Sequence, residues 1–333
     1  MTTAETAGSI LSEYYGLSAI LTALDGDEDS NFLAEADSGE NYIFKIMHFG
    51  CREGAVALPC AALQHLEGLV AAEIPRVVPT LTGKFFESVP VQGVQRFIWL
   101  LSWCNGTLLA DYSPHSESIY RSFGKLLAEI DLGLGDFRHP AMHTESCWQL
   151  TSAMDSAFKV DDIEGQTREI ARRIFARFDA EVHRQLTDLP HGVIHNDAND
   201  YNVLVNISAG RAVVDSLFDF GDVAWQPVIC DVAIALTYLI LDEEKPLQVC
   251  ASFLAAYSSI RPLSEPELDV LLDLISTRLA VSLAISSHRH KLEPDNQYIV
   301  NSQMSVKRAM TVLDKISPAS AADLFRHACG LSI

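Results

Sequence analysis

Basic residues are in short supply in this chain: 24 lysines and arginines face 44 aspartates and glutamates, a formal net charge of −20. That balance argues against a polyanionic partner such as nucleic acid. It suits a cationic substrate, although an acidic surface also serves solubility. Paired cysteines are missing too. Cys51, Cys60, Cys104, Cys147, Cys230, Cys250 and Cys329 are odd in number, form no C-x-x-C, and several fall in apolar runs. They read as buried reduced thiols of a cytoplasmic protein, not as a disulfide or zinc framework. The first residues, MTTAETAGSI, carry no basic stretch ahead of an apolar one, so no signal peptide is expected. Apolar runs of about 18 residues, the length of a membrane-spanning helix, are absent, as are repeats and low-complexity tracts. What remains is an ordinary apolar fraction of 48% over 333 residues, long enough for two lobes.

The chemistry is concentrated in two segments. HNDANDYNVLV (His195 to Val205) spells H-x-D-x-x-x-x-N, and LFDFGD (Leu217 to Asp222) contains D-F-G. A kinase needs both pieces. In this pattern Asp197 accepts the proton of the attacking hydroxyl, while Asn202 and Asp219 hold the magnesium ions that bridge the nucleotide phosphates. Mg²⁺ wants oxygen ligands and keeps several waters, so one carboxylate and one amide suffice. NVLVNI (Asn202 to Ile207) and RAVVDSLF (Arg211 to Phe218) are rich in β-branched residues and flank Ser208, Ala209 and Gly210. They predict a hairpin that the first motif enters and the second leaves.

Upstream, Ala23–Ala36 and Asn41–Met47 predict two strands with a turn between them, after a short helix over Ser9–Tyr15. Lys45 lies in the second strand, flanked by Phe44 and Ile46. It sits either on a wet face or, as the downstream motifs favour, where it grips the α- and β-phosphates; a buried ammonium needs a partner. The turn LDGDEDSNF (Leu24 to Phe32) stands where a phosphate-covering loop belongs. It has one glycine and four acids, Asp25, Asp27, Glu28 and Asp29, so Ser30, Asn31 and backbone N–H groups are the expected phosphate contacts. ALPCAALQHLEG (57–68) predicts a helix and RFIWLLSWCNG (96–106) a buried strand. Helical periodicity then runs through 116–132 and 166–187, and Ser264 with Glu267 forms a capping box that opens a helix to Ile285. Strands first, then helices around one hairpin, is an α+β arrangement in two lobes with the site in the cleft.

HNDANDYNVLV and FDFGDVAWQPVICDVAIALTYLI resemble the aminoglycoside phosphotransferase and choline kinase-like family. Within it they look most like the hydroxylysine kinase branch and the phosphotransferase domains fused to class III aminotransferases. The resemblance covers nearly the whole chain and is dense from Gly192 to Leu241. It implies a protein-kinase-like fold with a small β-rich nucleotide-binding lobe over 1–102 and a larger helical catalytic and substrate-binding lobe over 103–333. By resemblance Ser102, Trp103 and Cys104 form the hinge that meets the base, and a polar-Asn-Phe tripeptide ending at Phe32 closes the phosphate turn. His195 holds the catalytic loop. The co-substrate is ATP or GTP with Mg²⁺, and the acceptor is a hydroxyl of an amino alcohol or hydroxy amino acid, hydroxylysine first. In the family a helix glutamate pairs with the strand lysine; here Ala57 takes that position, and Glu53, one turn earlier, is the nearest substitute.

Other residues carry open readings. Asp200 and Asp222 either bind a substrate ammonium or are solvated loop acids. Asp231 is expected to accept hydrogen bonds from the catalytic loop. Arg278 and Arg289 are read as surface salt-bridge residues ahead of a substrate-carboxylate role. The competing class is a nucleotide-binding pseudokinase, partner to an aminotransferase or lyase. Homoserine, choline or methylthioribose are the other acceptors.

Overall fold

The structure, a computed structural model, describes residues 2–24, 26, 29–294 and 303–331. Helix α1 (Ala4–Tyr15) opens the chain, capped by Thr3, whose side chain accepts from the Thr6 N–H, and closed by Gly16 in the left-handed region. Strands β1 (Ala19–Leu24), β2 (Ser30–Ala36) and β3 (Asn41–Ile46) follow, then helix α2 (Gly54–Leu66). Strands β4 (Val77–Val78), β5 (Glu87–Val91) and β6 (Val94–Ser102) complete an antiparallel sheet in the order β1-β2-β3-β6-β4, with β5 on β6. Where the sequence predicts one strand through Ala23–Ala36, the structure has the end of β1 and then β2, because the glycine and acids between Leu24 and Ser30 are turn formers.

Alternation explains the first sheet. In β2, Ser30, Phe32, Ala34 and Ala36 are buried while Asn31, Leu33 and Glu35 are more open. Phe32 and Ala34 pack with Ala7, Ile10 and Leu11 of α1 and with Phe44, Ile98 and Leu100 as a small core. Helix α2 turns the other way: Val56, Leu58, Cys60, Leu63 and Leu66 join the large core of the helical region.

The rest is mainly helical. β7 (Thr107–Leu108) and α3 (Glu117–Gly133) lead to a 3₁₀ segment at Leu150–Asp162 and α4 (Thr167–Arg177). A π-turn at Phe178–Val182 then runs into α5 (His183–Leu186). β8 (His191–Ile194), β9 (Val203–Ser208), β10 (Arg211–Leu217) and β11 (Ala224–Pro227) carry the motif region. Helices α6 (Ile229–Leu239), α7 (Pro246–Ser258), α8 (Glu265–Leu292), α9 (Gln303–Leu313) and α10 (Pro318–Ala328) enclose it. The capping box at the start of α8 forms as expected: Glu267 Oε2 accepts from the Ser264 N–H at 2.9 Å. Among the described residues no helix is long and apolar enough to cross a membrane.

Candidate active site

The site is built on the β9–β10 hairpin. Val203 pairs with Leu217, and the Phe218 N–H donates to the Asn202 carbonyl at 3.0 Å. Register alone therefore brings Asn202 and Asp219 to the same end of one hairpin. The register slips between Val214 and Ser216, and the extra residue, Asp215, offers its carbonyl to the Glu73 N–H at 2.9 Å. Leu217 N–H returns to the Glu73 carbonyl at 3.2 Å. Thus the connection between α2 and β4 is stitched to the hairpin.

The loop before β9 is fixed from below. Asp231 of α6 accepts from the backbone N–H of His195 at 3.0 Å and of Asn196 at 2.8 Å. Behind it lies the buried Asp131, whose pKa burial and then the Asp231 charge raise well above the usual carboxylate range and whose Oδ2 accepts from the Tyr257 hydroxyl at 2.5 Å. His195 is fully buried. Its Nε2–H donates to the Phe218 carbonyl at 3.0 Å and its Nδ1 accepts from the Asp197 N–H at 3.3 Å. Burial lowers its pKa against the pull of Asp231, so one neutral tautomer welds the first motif to the second. Asn196 and Asp219 both take left-handed backbone, at φ 67° and 57°, the kind of local strain that surrounding bonds must hold.

Asp197 is enclosed by donors. Its Oδ2 accepts from Asn199 Nδ2 and from Asn202 Nδ2, each at 2.9 Å. Its Oδ1 accepts from Arg278 Nη2 at 2.9 Å. Burial pushes Asp197 up to about 7, Arg278 opposes this, and Asp222 and Asp219 push it further up. Asn202 also spends its Nδ2 on the Asp197 carbonyl at 2.9 Å. No hydrogen bond among the described residues reaches its Oδ1, which leaves a hard oxygen on the hairpin end that also carries Asp219. That donor pair fits Mg²⁺, which takes few protein ligands and completes its shell with water and phosphate.

Lys45 lies 12% exposed with its Nζ 2.8 Å from Asp219 Oδ1 and 5.6 Å from the Trp99 ring centre. Burial works against the ammonium, but Asp219, aided by Asp29 and Asp222, outweighs it and holds the pKa high. Glu53, the nearest candidate in sequence for the lysine's partner, is not the acid that pairs with it. That residue is the exposed N-cap of α2, with no side-chain cap bond, and Asp219 itself is the partner. Around the pair opens a cleft of about 170 Å³ whose lining includes Asn31, Ile43, Ser102, Trp103, Cys104 and Phe218. The three expected hinge residues therefore all border it. Of the three expected phosphate-turn contacts, Ser30, Asn31 and Phe32, only Asn31 does. Strand alternation sends Ser30 and Phe32 to the other face, where Ser30 Oγ accepts from the Thr2 N–H at 3.2 Å and Phe32 joins the small core. Asp25, Asp27 and Glu28 lie outside the described residues. Asp29 Oδ1 accepts from the His48 N–H at 2.7 Å, tying this turn to the end of β3.

The two candidate substrate acids part company. Asp222 shares the field of Asp197, Asp219 and Arg278; burial and Asp219 raise its pKa. Asp200 is pushed up to about 6 by burial, and its charged neighbours are His115 and Asp111 instead. Arg278 corrects the surface reading outright: it is 2% exposed. A signal existed. Leu271, Leu274, Arg278, Val281 and Ile285 follow helical spacing, so an arginine stands in an otherwise apolar row.

A carboxylate able to take a proton, an amide oxygen and a second carboxylate at one hairpin end, and a buried lysine across a cleft between sheet and helices define a two-lobed, kinase-type phosphotransferase. The chain belongs to the phosphotransferase enzyme family whose pattern matches residues 20–268. It is 28% identical over 216 residues to hydroxylysine kinase of Mus musculus, covering 62% of this chain and 57% of that protein. Against hydroxylysine kinase of Danio rerio it is 25% identical over 303 residues, covering 86% and 84%. The chain thus spans little more than half of the mouse relative. In fold it matches an amicoumacin kinase solved with AMP-PNP, Ca²⁺ and Ami, with a TM-score of 0.71 at 15% identity over 94% of this chain and 95% of that one. A microcompartment-associated aminopropanol kinase matches with a TM-score of 0.70 at 19% identity over 98% and 99%.

Proposed function

We propose that this protein transfers the terminal phosphoryl group of ATP or GTP to a hydroxyl of a small amine-bearing alcohol or hydroxy amino acid in the cytoplasm. Hydroxylysine is the leading acceptor. The observation that carries the reading is the meeting of three stretches of chain: the loop that bears Asp197 and Asn202, the end of β10 with Asp219, and Lys45 of β3, which joins Asp219 at the cleft. In this reading the lobe over 1–102 binds the nucleotide and 103–333 supplies catalysis and the acceptor site. Lys45 leaves Asp219 for the phosphates. Ser102, Trp103 and Cys104 border the base. Asn202 Oδ1 and Asp219 would hold Mg²⁺, which neutralises charge on the phosphates when bound. Asp197 accepts the hydroxyl proton as the hydroxyl oxygen bonds to the terminal phosphorus and the bond from that phosphorus to the bridging oxygen breaks, releasing the nucleoside diphosphate. Asp222, the acid nearest this cluster, takes the substrate ammonium; Asp200 belongs to the acceptor site only if that site extends to His115. The reading is supported by the hydroxylysine kinases and the aminopropanol kinase this chain resembles, whose named substrates combine an amine with a hydroxyl.

The test is a phosphotransfer assay with Mg–ATP and Mg–GTP against hydroxylysine, 1-amino-2-propanol, homoserine, choline and methylthioribose, with the product identified by mass. Phosphorylation of an amino alcohol is expected. A second reading, a nucleotide-binding partner of an aminotransferase or lyase, draws on Ala57 in place of the helix glutamate. Nucleotide binding without transfer to any acceptor would favour it.

A further inference from the structure

Arg278 uses all three of its nitrogens inside the protein. Nη2 donates to Asp197 Oδ1 at 2.9 Å, Nη1 to the Trp148 carbonyl at 2.7 Å, and Nε to the Tyr238 hydroxyl at 3.3 Å. The guanidinium also lies 5.2 Å from the Trp148 ring centre and 5.7 Å from that of Tyr238. These partners come from the segment before the 3₁₀ turn, from α6 and from the catalytic loop. They meet on a residue of α8 that is 2% exposed.

We propose that Arg278 is a positioning residue for Asp197, fixing the carboxylate so that its remaining lone pair points at the acceptor hydroxyl. The inference rests on the kinase reading above and adds a residue to it. An ionised carboxylate offers about four acceptor sites on two oxygens. Asn199 and Asn202 take two on Oδ2, and Arg278 takes one on Oδ1. One site is left, and Arg278 decides where it points. A planar fork suits that role. It is held at Trp148 and Tyr238 and cannot swing, whereas a lysine would present a single mobile charge. Burial also decides against a substrate carboxylate as its partner. Such a ligand needs an open N–H edge; three of the five N–H groups already serve the protein, and at 2% exposure the other two are closed to a ligand. Without Arg278, Asp197 would face Asp219 and Asp222 with no cation on its Oδ1 side.

The test compares wild type, Arg278→Ala and Arg278→Lys as full chains, with Mg–ATP and hydroxylysine or 1-amino-2-propanol as probes. Misplacing a catalytic group by about 1 Å costs on the order of 100-fold. Arg278→Ala should therefore lower kcat by about that factor, while acceptor KM and Mg–AMP-PNP affinity stay within about threefold. Millimolar guanidinium should restore part of the Arg278→Ala rate and none of an Asp197→Asn rate, and Arg278→Lys should recover a tenth of wild type at most. An unchanged kcat refutes the proposal. So does a loss confined to KM for the carboxylate-bearing probe, which would make Arg278 a substrate ligand. Should Arg278→Ala fail to fold, Tyr238→Phe removes the Nε partner alone; unaltered kcat in both Tyr238→Phe and Arg278→Lys is then the refuting result. A wild type inactive on every acceptor refutes the kinase reading itself, whereas an active wild type with an indifferent Arg278→Ala refutes only this inference.

Discussion

Replacing Asp219 by alanine removes the one side chain that serves two cations in turn: Lys45 before nucleotide binds and the metal once it arrives. The first loss is small. At 2.8 Å two unit charges attract by roughly 6 kcal/mol gross at an effective dielectric of about 20. Asp219 is 45% exposed, however, and pairs open to water contribute about 1 kcal/mol or less. The melting temperature of the ligand-free protein should therefore barely move. The second loss is large, because a full carboxylate charge leaves the metal. A 100-fold weaker Mg–AMP-PNP affinity is expected, about 2.7 kcal/mol. At ligand held at 100 times the wild-type Kd, wild type gains about 2.7 kcal/mol of stability and the variant only about 0.4 kcal/mol. Asn202→Ala removes a neutral amide oxygen; a tenfold loss leaves about 1.4 kcal/mol of that gain. Calorimetry gives the affinities and thermal unfolding with and without ligand gives the shifts. Equal losses in the two variants, or a larger one in Asn202→Ala, would refute the assignment of the charged metal ligand to Asp219.

Asp197→Asn should lower turnover by roughly 10²–10⁴-fold and leave Mg–AMP-PNP affinity within about threefold by calorimetry. Because burial carries Asp197 up to about 7 and only its ionised form accepts a proton, activity is present above that pH and lost as pH falls through it. A bound divalent cation draws the midpoint lower, so kcat/KM for the acceptor should show an acid limb at or below about 7; a flat profile from about pH 4.5 to 8 would contradict the base assignment. Glu53→Gln should change kcat and nucleotide affinity by less than about twofold, since Glu53 is exposed and Lys45 pairs with Asp219; a strong loss would restore Glu53 as the lysine's partner.

The parts of the site that could be read from the chain are those whose neighbours are close in sequence. His195, Asp197, Asn202 and Asp219 sit within one loop and one hairpin, so residue type, turn chemistry and β-branched runs define their relation. Asp231 was legible for the same reason, as an acid in an apolar helix just beyond. Lys45 was legible as a candidate but its partner was not, because Asp219 lies 174 residues away and no local pattern encodes that pairing. Expecting a glutamate on α2 then misdirected attention to Glu53. Arg278 was hidden by the habit of placing arginine at the surface, which its apolar row contradicted. The helical period over 166–187 was right for α4 and α5 but blind to the π-turn at Phe178–Val182. A single wide turn shifts the face without breaking the apolar pattern. Ser30 and Phe32 were misplaced because a tripeptide motif says nothing about which strand face each residue takes.

The catalytic cluster joins contacts of very different chain separation. Asn202 reaches Asp197 across 5 residues, Arg278 reaches it across 81, and Lys45 reaches Asp219 across 174. Short loops close at little entropic cost and long ones at more, so the hairpin with its oxygen ligands, fastened to the nearby α6 through Asp231, is the most local piece of the cluster. The two cations arrive only when α8 and the first sheet dock. Partial opening of either region, at a free energy below that of global unfolding, removes a cation while the HNDANDYN loop remains folded. Substitutions deep in the α8 packing or in the β3–β6 sheet should therefore extinguish turnover at temperatures where circular dichroism still reports a native chain, and enzymatic activity becomes a gauge of lobe docking.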